Sequence, residues 1–333
     1  MLKITNLRKK YKNFEVLKGL NMNIERGDVY GFLGKNGCGK TTTMNIICNI
    51  VAKTGGRIEF LPKDVATGTQ PQAVQSAQVT QVGWQSSEPQ SDNTPSYRPK
   101  IGYLTESPAL YAFMNGYEYL KYIAACANYT GDVNARITEV LDVVGMTEGA
   151  NRRIKGYSRG MNQRLGIAAA MFDHPELLIL DEPTSALDPE GRAEVMSIIR
   201  NLKQSGVTII LCTHIITDVE RVANQIGIMK NGIIAEEGSI DSIMAKYRNQ
   251  SSHITVRLEI PSEQVASQMR MLPSVHSSDY NNANGIVVLG SQDVGTLQEE
   301  VMALIVREKI RILEFVSQRK TLEDIYFMIT GGQ

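Results

Sequence analysis

Tryptophan occurs once in this 333-residue chain, histidine and cysteine four times each, and net charge is nil, with 35 basic residues against 35 acidic. Each shortage narrows the possibilities. Balanced charge gives no bulk attraction to a phosphate backbone, so no nucleic-acid partner is expected. Cys38, Cys48, Cys126 and Cys212 lack metal-ligand spacing and fit reduced cytosolic thiols better than a disulfide framework. No apolar run approaches the ~20 residues that span a bilayer, and Met1–Thr5 lacks a signal-peptide core. Any membrane role is therefore expected to come through a partner. The length suits roughly two domains.

What is present is sharper. Gly34-Lys35-Asn36-Gly37-Cys38-Gly39-Lys40-Thr41 matches G-x-x-x-x-G-K-[ST], a phosphate-cradling loop, and Thr42 continues it into a helix. The apolar strand Val29–Leu33 runs into it. Glycines let the backbone curl so that several N–H groups face one anion, and the helix N-terminus adds partial positive charge. Lys40 is expected to reach the β- and γ-phosphates, and the Thr41 hydroxyl to bind Mg²⁺. A chance match in a chain of this length is on the order of one in a hundred. ATP or GTP is the expected ligand.

Along the chain, Leu2–Leu7 and Val16–Ile24 alternate as strands, and Gly55–Phe60 reads as a turn and a further strand. From 61 to 100 Gln, Ser, Thr and Pro dominate around the single Trp84. That composition buries too little apolar area to offset its ordering entropy, so a disordered insertion is expected, the alternative being a partner-binding loop anchored by Trp84. Ile101–Leu104 resumes as a strand, 115–148 is helix-like with a tyrosine stripe, and 161–173 is an Ala-rich helix. Leu177–Leu180 and Val207–Leu211 are apolar runs of central parallel strands separated by a helix at about 190–204. The fold class expected is α/β, a phosphate-loop sheet with a helical subdomain over 105–173. After about Lys246 a small α+β unit is expected: strand 253–260, helix 262–270, a hairpin over 281–289, helix 294–307, strand 310–315 and a helix from Thr321.

Leu177–Leu180 ends in Asp181-Glu182, at the strand end where ligands of such sheets bind. Asp181 is expected to hold Mg²⁺ and Glu182 to polarise the attacking water. Three more landmarks follow a fixed order: Tyr157-Ser158-Arg159-Gly160-Met161 before that strand, Ser185-Ala-Leu-Asp188 after it, and His214 after the next strand.

With both nucleotide motifs, this series resembles the ATP-binding subunit of an ABC transporter over residues 1 to about 240. The resemblance implies an ABC-type ATPase domain over 1–240, a small C-terminal domain over 246–333, and ATP with Mg²⁺ as ligands. It implies that Tyr11 stacks on adenine and that Ser158 and Gly160, from the signature, contact the γ-phosphate held by a second nucleotide-binding subunit. Asp188 is implied to couple the two sites, and His214 to act as a switch at the γ-phosphate. Two features depart from the family pattern. Arg159 and Met161 replace a glycine and a glutamine of the signature, and Glu106 stands where glutamine is usual, still able to meet Mg²⁺ or water but unable to donate a hydrogen bond. Both variants, and the tail Thr321–Phe327, resemble exporter-type ATPases.

The implied function is an ATP-hydrolysing motor that powers export through a separate transmembrane permease subunit, peripheral on the cytoplasmic face of the membrane. The expected permease contact is the region from Glu106 to about Tyr122, including Tyr111 and Phe113. The competing reading, a soluble ABC-type ATPase of translation or DNA repair, is disfavoured by the single motif set, the lack of a heptad run and the neutral charge. A kinase or GTPase fails on the signature and on the missing base-recognition motif.

Overall fold

The computed structural model describes residues 1–62, 97–247, 252–318 and 321–331. The expected insertion at 61–100, with Trp84, lies outside them apart from its two ends. The chain forms two compact units, Met1–Ala223 with Met229–Ile234, and Asn224–Ile228 with Ala235–Gln333.

The first unit begins with β1 (Leu2–Tyr11), β2 (Phe14–Ile24), β3 (Val29–Gly34), α1 (Lys40–Ile47), β4 (Gly55–Phe60) and β5 (Ile101–Leu104). The helices α2 (Gly116–Cys126), α3 (Val133–Val143) and α4 (Arg159–Ala170) follow. Then come β6 (Leu177–Asp181), α5 (Pro189–Gln204), β7 (Thr208–Thr213) and α6 (Ile216–Val222). Four strands pair in parallel in the order β5-β6-β7-β3. Strands β3, β6 and β7 are buried along their whole length, as the unbroken apolar runs require. A separate antiparallel sheet, in the order β2-β1-β4, packs its inward residues Leu2, Ile4, Leu7 and Leu20 into one core with Phe32, Met44, Ile179 and Ile210. Each such side chain contributes roughly 1.5–3 kcal/mol on burial, so this core fixes the position of the phosphate loop above it.

Two local readings change. The alternation in β1 is interrupted by a bulge between Ile4 and Leu7, where Asn6 takes φ 51°. The extra residue keeps both Ile4 and Leu7 facing the core. The helix expected over 115–148 is two helices. Asn128 turns the chain at φ 49°, and the Asp132 carboxylate accepts from the N–H groups of Asn134 and Ala135 to start α3.

Along the chain β8 (Gln225–Lys230) and β9 (Ile233–Ser239) follow, elements without a distinct sequence signal. The second unit continues with α7 (Ile240–Tyr247), β10 (Ser252–Leu258), α8 (Glu263–Arg270), β11 (Ser277–Asn281), β12 (Ile286–Ser291), α9 (Val294–Arg307), β13 (Ile312–Gln318) and α10 (Leu322–Thr330). Its sheet is antiparallel in the order β11-β12-β10-β13. Ile254, Val256 and Leu289 from that sheet pack with Met269 of α8 and Leu297, Val301 and Leu304 of α9. The hairpin joining β11 to β12 turns through Asn282–Gly285, with Gly285 at φ 66°.

Candidate functional site

β3 delivers the loop Gly34–Lys40 to the carboxyl end of the parallel strands. Gly37 and Gly39 sit at φ 79° and 115°, a backbone region that disfavours any side chain. Gly39 is the N-cap of α1 and supplies no side-chain cap, which leaves the first N–H groups of the helix directed at the loop's interior. Lys35, Asn36, Gly37 and Thr41 are exposed along the loop, whereas Lys40 is buried. The Lys40 ammonium donates to the carbonyl oxygens of Gly34 (2.6 Å) and Lys35 (3.4 Å) and lies 3.9 Å from Glu182 Oε1.

The second half of the site comes from the ends of β6 and β7. Thr41 Oγ1 donates to Asp181 Oδ2 at 2.9 Å, and the Tyr103 hydroxyl from β5 reaches the same oxygen at 3.5 Å. Asp181 Oδ1 is buried without a hydrogen-bond partner. Burial raises the Asp181 pKa above the usual carboxylate value. The Thr41 hydrogen bond and the Lys40 charge oppose that rise, while Glu182 and Glu106 add to it. A buried carboxylate oxygen with nothing to accept from, beside a threonine hydroxyl, is a hard-oxygen donor set that fits Mg²⁺.

Glu182 is buried and held at φ 49°, an unusual backbone for a non-glycine residue. Its N–H donates to the Cys212 carbonyl (2.8 Å), its Oε2 accepts from Thr213 Oγ1 (3.2 Å), and both its oxygens lie 3.0 Å from His214 Nδ1. The structure thus brings Lys40, Thr41, Asp181, Glu182 and His214 together. Cys38 and Cys212, close to this charge, keep protonated thiols because burial raises both pKa values.

The remaining sequence candidates take separate places. Tyr11 ends β1 as an exposed ring with the Lys9 ammonium 4.5 Å over its face. Glu106 is exposed on the loop after β5, close enough for its charge to act on Asp181. Ser158 caps α4, accepting from Met161 N–H at 3.2 Å. Asp188 caps α5, accepting from Gly191 N–H at 3.1 Å. The two helix starts adjoin, since a Cβ built on Gly160 would lie 3.8 Å from Gly191 Cα. Thr42 is half-buried one residue behind Thr41. Sequence reasoning missed Tyr103 and Thr213. Thr213 could have been suspected as the hydroxyl next to His214, whereas Tyr103 has only its place on the neighbouring strand.

A cavity of about 380 Å³ opens beside the site between β5, α2 and α4, lined by Tyr103, Thr105, Pro108, Tyr119, Ile123 and Gly166 among others. Next to it Tyr111 packs edge-on against Tyr122 (5.3 Å between ring centres) and tilted against Phe113 (5.7 Å), and all three rings are exposed.

A family model described as ABC transporter matches residues 17–185, and one described as ATP-binding protein DrrA1-3-like, C-terminal domain, matches residues 238–330. The bacitracin transport ATP-binding protein BcrA of Bacillus licheniformis is 32% identical over 334 residues, covering 100% of this chain and 98% of its own. The lantibiotic transport ATP-binding protein SrtF of Streptococcus pyogenes is 36% identical over 241 residues, 72% of this chain and 92% of its own. A solved dimeric bacterial ABC transporter cassette shares the fold, with a TM-score of 0.56 at 24% identity over 72% of this chain and 99% of that one. The chain therefore belongs to the ABC transporter family, as an ATP-binding and ATP-hydrolysing subunit.

Proposed function

We propose that this subunit is the motor of an exporter, and that hydrolysis is carried out by the residues gathered at the ends of β3, β6 and β7. The observation that carries this reading is the meeting of Glu182 with Lys40, Thr213 and His214 beside the phosphate loop. Glu182 is the group that polarises the attacking water. Thr213 and His214 hold its carboxylate in one orientation, and a positioned acid–base group of this kind supplies typically 10²–10⁴-fold. Lys40 and the N–H groups at the start of α1 stabilise charge on the transferring phosphoryl group. Thr41, Asp181 and, from the loop after β5, Glu106 are the groups that would hold Mg²⁺. When bound, that ion neutralises charge on the β- and γ-phosphates. Tyr11 offers its ring to adenine.

Ser158 and Gly160 are proposed to complete the site of a second nucleotide-binding subunit, with Asp188 at the seam. The related cassette is dimeric, and the signature serine already caps a helix whose N-terminus suits a phosphate. The membrane permease is proposed to dock a short helix at the cavity beside Tyr111, Phe113 and Tyr122, and so to hold this chain at the cytoplasmic face. No helix among the described residues is long and apolar enough to cross a membrane. Relatives named for bacitracin transport, lantibiotic transport and linearmycin resistance support efflux as the direction. The domain limits proposed are 1–240 for the motor and 246–333 for the small α+β domain.

The test compares Glu182→Gln with wild type by light scattering after size exclusion. The expected result is a dimer of the variant that forms only with ATP and Mg²⁺, with hydrolysis lost. A variant that hydrolyses ATP at the wild-type rate removes Glu182 from the chemistry.

A further inference from the structure

Asp218 is fully buried in the first turn of α6, and neither of its oxygens serves the nucleotide site directly. Its Oδ2 accepts from Thr184 Oγ1 at 2.6 Å. Its Oδ1 accepts from Arg192 Nε at 2.8 Å and pairs with Arg192 Nη2 at 2.7 Å, and that nitrogen also donates to Thr217 Oγ1 at 2.7 Å. One carboxylate thus ties three segments. Thr184 belongs to the turn that leaves Glu182. Arg192 lies in the first turns of α5, beyond its Asp188 cap. Asp218 follows His214 by four residues.

The turn it ties is strained. Glu182 and Ala186, two residues on either side of Thr184, are both in the left-handed backbone region, at φ 49° and 61°. Such residues persist only where their surroundings over-determine them. Inside the turn, Ser185 Oγ and Ser185 N–H return to the Glu182 carbonyl at 3.0 and 3.2 Å, but these bonds are local and do not orient the turn against β7. The Glu182 N–H holds the start of the turn to the Cys212 carbonyl of β7 at 2.8 Å, and the bonds from Asp218 hold its middle to α6. Together they join the Glu182 turn to the segment that carries His214, where the two side chains meet at 3.0 Å.

Resting on the ATPase reading above, we propose that Thr184, Asp218 and Arg192 form a positioning brace that sets the Glu182 carboxylate against His214 for hydrolysis. The brace touches neither nucleotide nor water. Its loss is expected to slow turnover without weakening ATP binding, because the phosphate loop has its own support in β3 and α1. A charged hydrogen-bonded pair is also directional, so the hydroxyl at 184 matters while the methyl beside it does not.

The experiment uses the full chain with Thr184→Val, Thr184→Ser and Arg192→Lys. Steady-state hydrolysis against ATP concentration is expected to show kcat about tenfold lower in Thr184→Val, with KM for ATP within twofold. Thr184→Ser, which keeps the hydroxyl, is expected to return to within twofold of wild type. Amide hydrogen exchange without nucleotide is measured in parallel. Segments 182–187 and 214–218 are expected to exchange at least tenfold faster in Thr184→Val while β6 and β7 keep their protection. If Thr184→Val does not fold, Arg192→Lys, which keeps a cation beside the buried Asp218 but loses the two-nitrogen fork, is read in its place. Unchanged exchange in both segments overturns the brace, whatever the turnover. So does a kcat loss matched by an equal loss in the serine variant. A wild-type chain that exchanges as expected but never hydrolyses ATP overturns the ATPase reading instead.

Discussion

Thr41, in the first turn of α1, and Asp181, the last residue of β6, are 140 residues apart and meet through a 2.9 Å hydrogen bond. The bond occupies one carboxylate oxygen and leaves the other buried without a partner. An ionised group so placed carries a desolvation cost that a cation would relieve.

Replacing Asp181 by Asn should therefore raise the stability of the unliganded protein while abolishing its response to Mg²⁺. Burial raises the Asp181 pKa in the folded state, so the native protein binds more protons than the unfolded chain between the ordinary carboxylate value and the raised one. Stability from this group is present below that window and is lost as pH rises through it. At neutral pH the ionised carboxylate is a net cost, and Asn removes it while keeping an acceptor for Thr41. The unliganded variant is expected to melt about 1–3 °C higher at pH 7, with the difference vanishing in acid. Adding Mg²⁺ to the ATP complex should raise the Tm further in wild type alone. Calorimetry with and without the ion checks both, and a variant that keeps the Mg²⁺ response would remove Asp181 from the metal site.

Lys40→Ala is expected to act on binding and on stability together. Its ammonium lies 3.9 Å from Glu182 with both side chains buried, so its removal deprives a buried carboxylate of its nearby cation. ATP affinity should fall at least tenfold, equivalent to about 1.4 kcal/mol, since a charged contact to the phosphates is lost. Titration with a fluorescent nucleotide measures the first effect and thermal unfolding the second. Affinity within a factor of two of wild type would contradict the role given to Lys40.

Much of this site could be read from the chain because its chemistry is local. The phosphate loop is eight consecutive residues, and the buried strands β3, β6 and β7 are continuous apolar runs whose ends place Asp181, Glu182 and His214. Tyr103 and Asp218 could not be read that way, since each acquires its partner only when β5 pairs with β6 or α6 packs beside α5. Nor did periodicity show the Asn6 bulge, because one residue in the left-handed region changes the phase of a strand without changing its composition. The short helix α6 and the strands β8 and β9 are set by packing more than by any sequence signal of their own.

The exposed rings of Tyr111, Phe113 and Tyr122 predict a separable defect. Phe113→Glu combined with Tyr122→Glu puts two charges on the aromatic cluster beside the cavity, where an apolar partner surface would have to desolvate them. Capture of the solubilised permease is expected to fall at least tenfold. ATP affinity should stay within twofold, because neither ring belongs to the nucleotide site. Undiminished capture by the double variant would place the permease elsewhere.

Gly102→Ala tests how tightly the signature helix is seated. A Cβ on Gly102 would lie 2.0 Å from the Ala170 carbonyl oxygen, 2.9 Å from its carbonyl carbon and 3.0 Å from Leu178 Cδ1. The first two are backbone atoms at the end of α4, so no side-chain rotation can relieve the clash. Either β5 or the end of α4 must shift. Overpacking of this kind costs typically 1–3 kcal/mol, and contact with backbone places the expected loss near 2–3 kcal/mol, a Tm decrease of about 4–12 °C. Gly156→Ala is the matched control, because a Cβ there meets nothing within 4 Å. The shift should also reach function: α4 carries Ser158 and Gly160 at its other end, so ATP-driven dimerisation should weaken in Gly102→Ala more than the loss of folded protein explains. Thermal unfolding and light scattering on both variants decide it, and a Gly102→Ala protein as stable as Gly156→Ala would show that the α4 backbone yields at that contact.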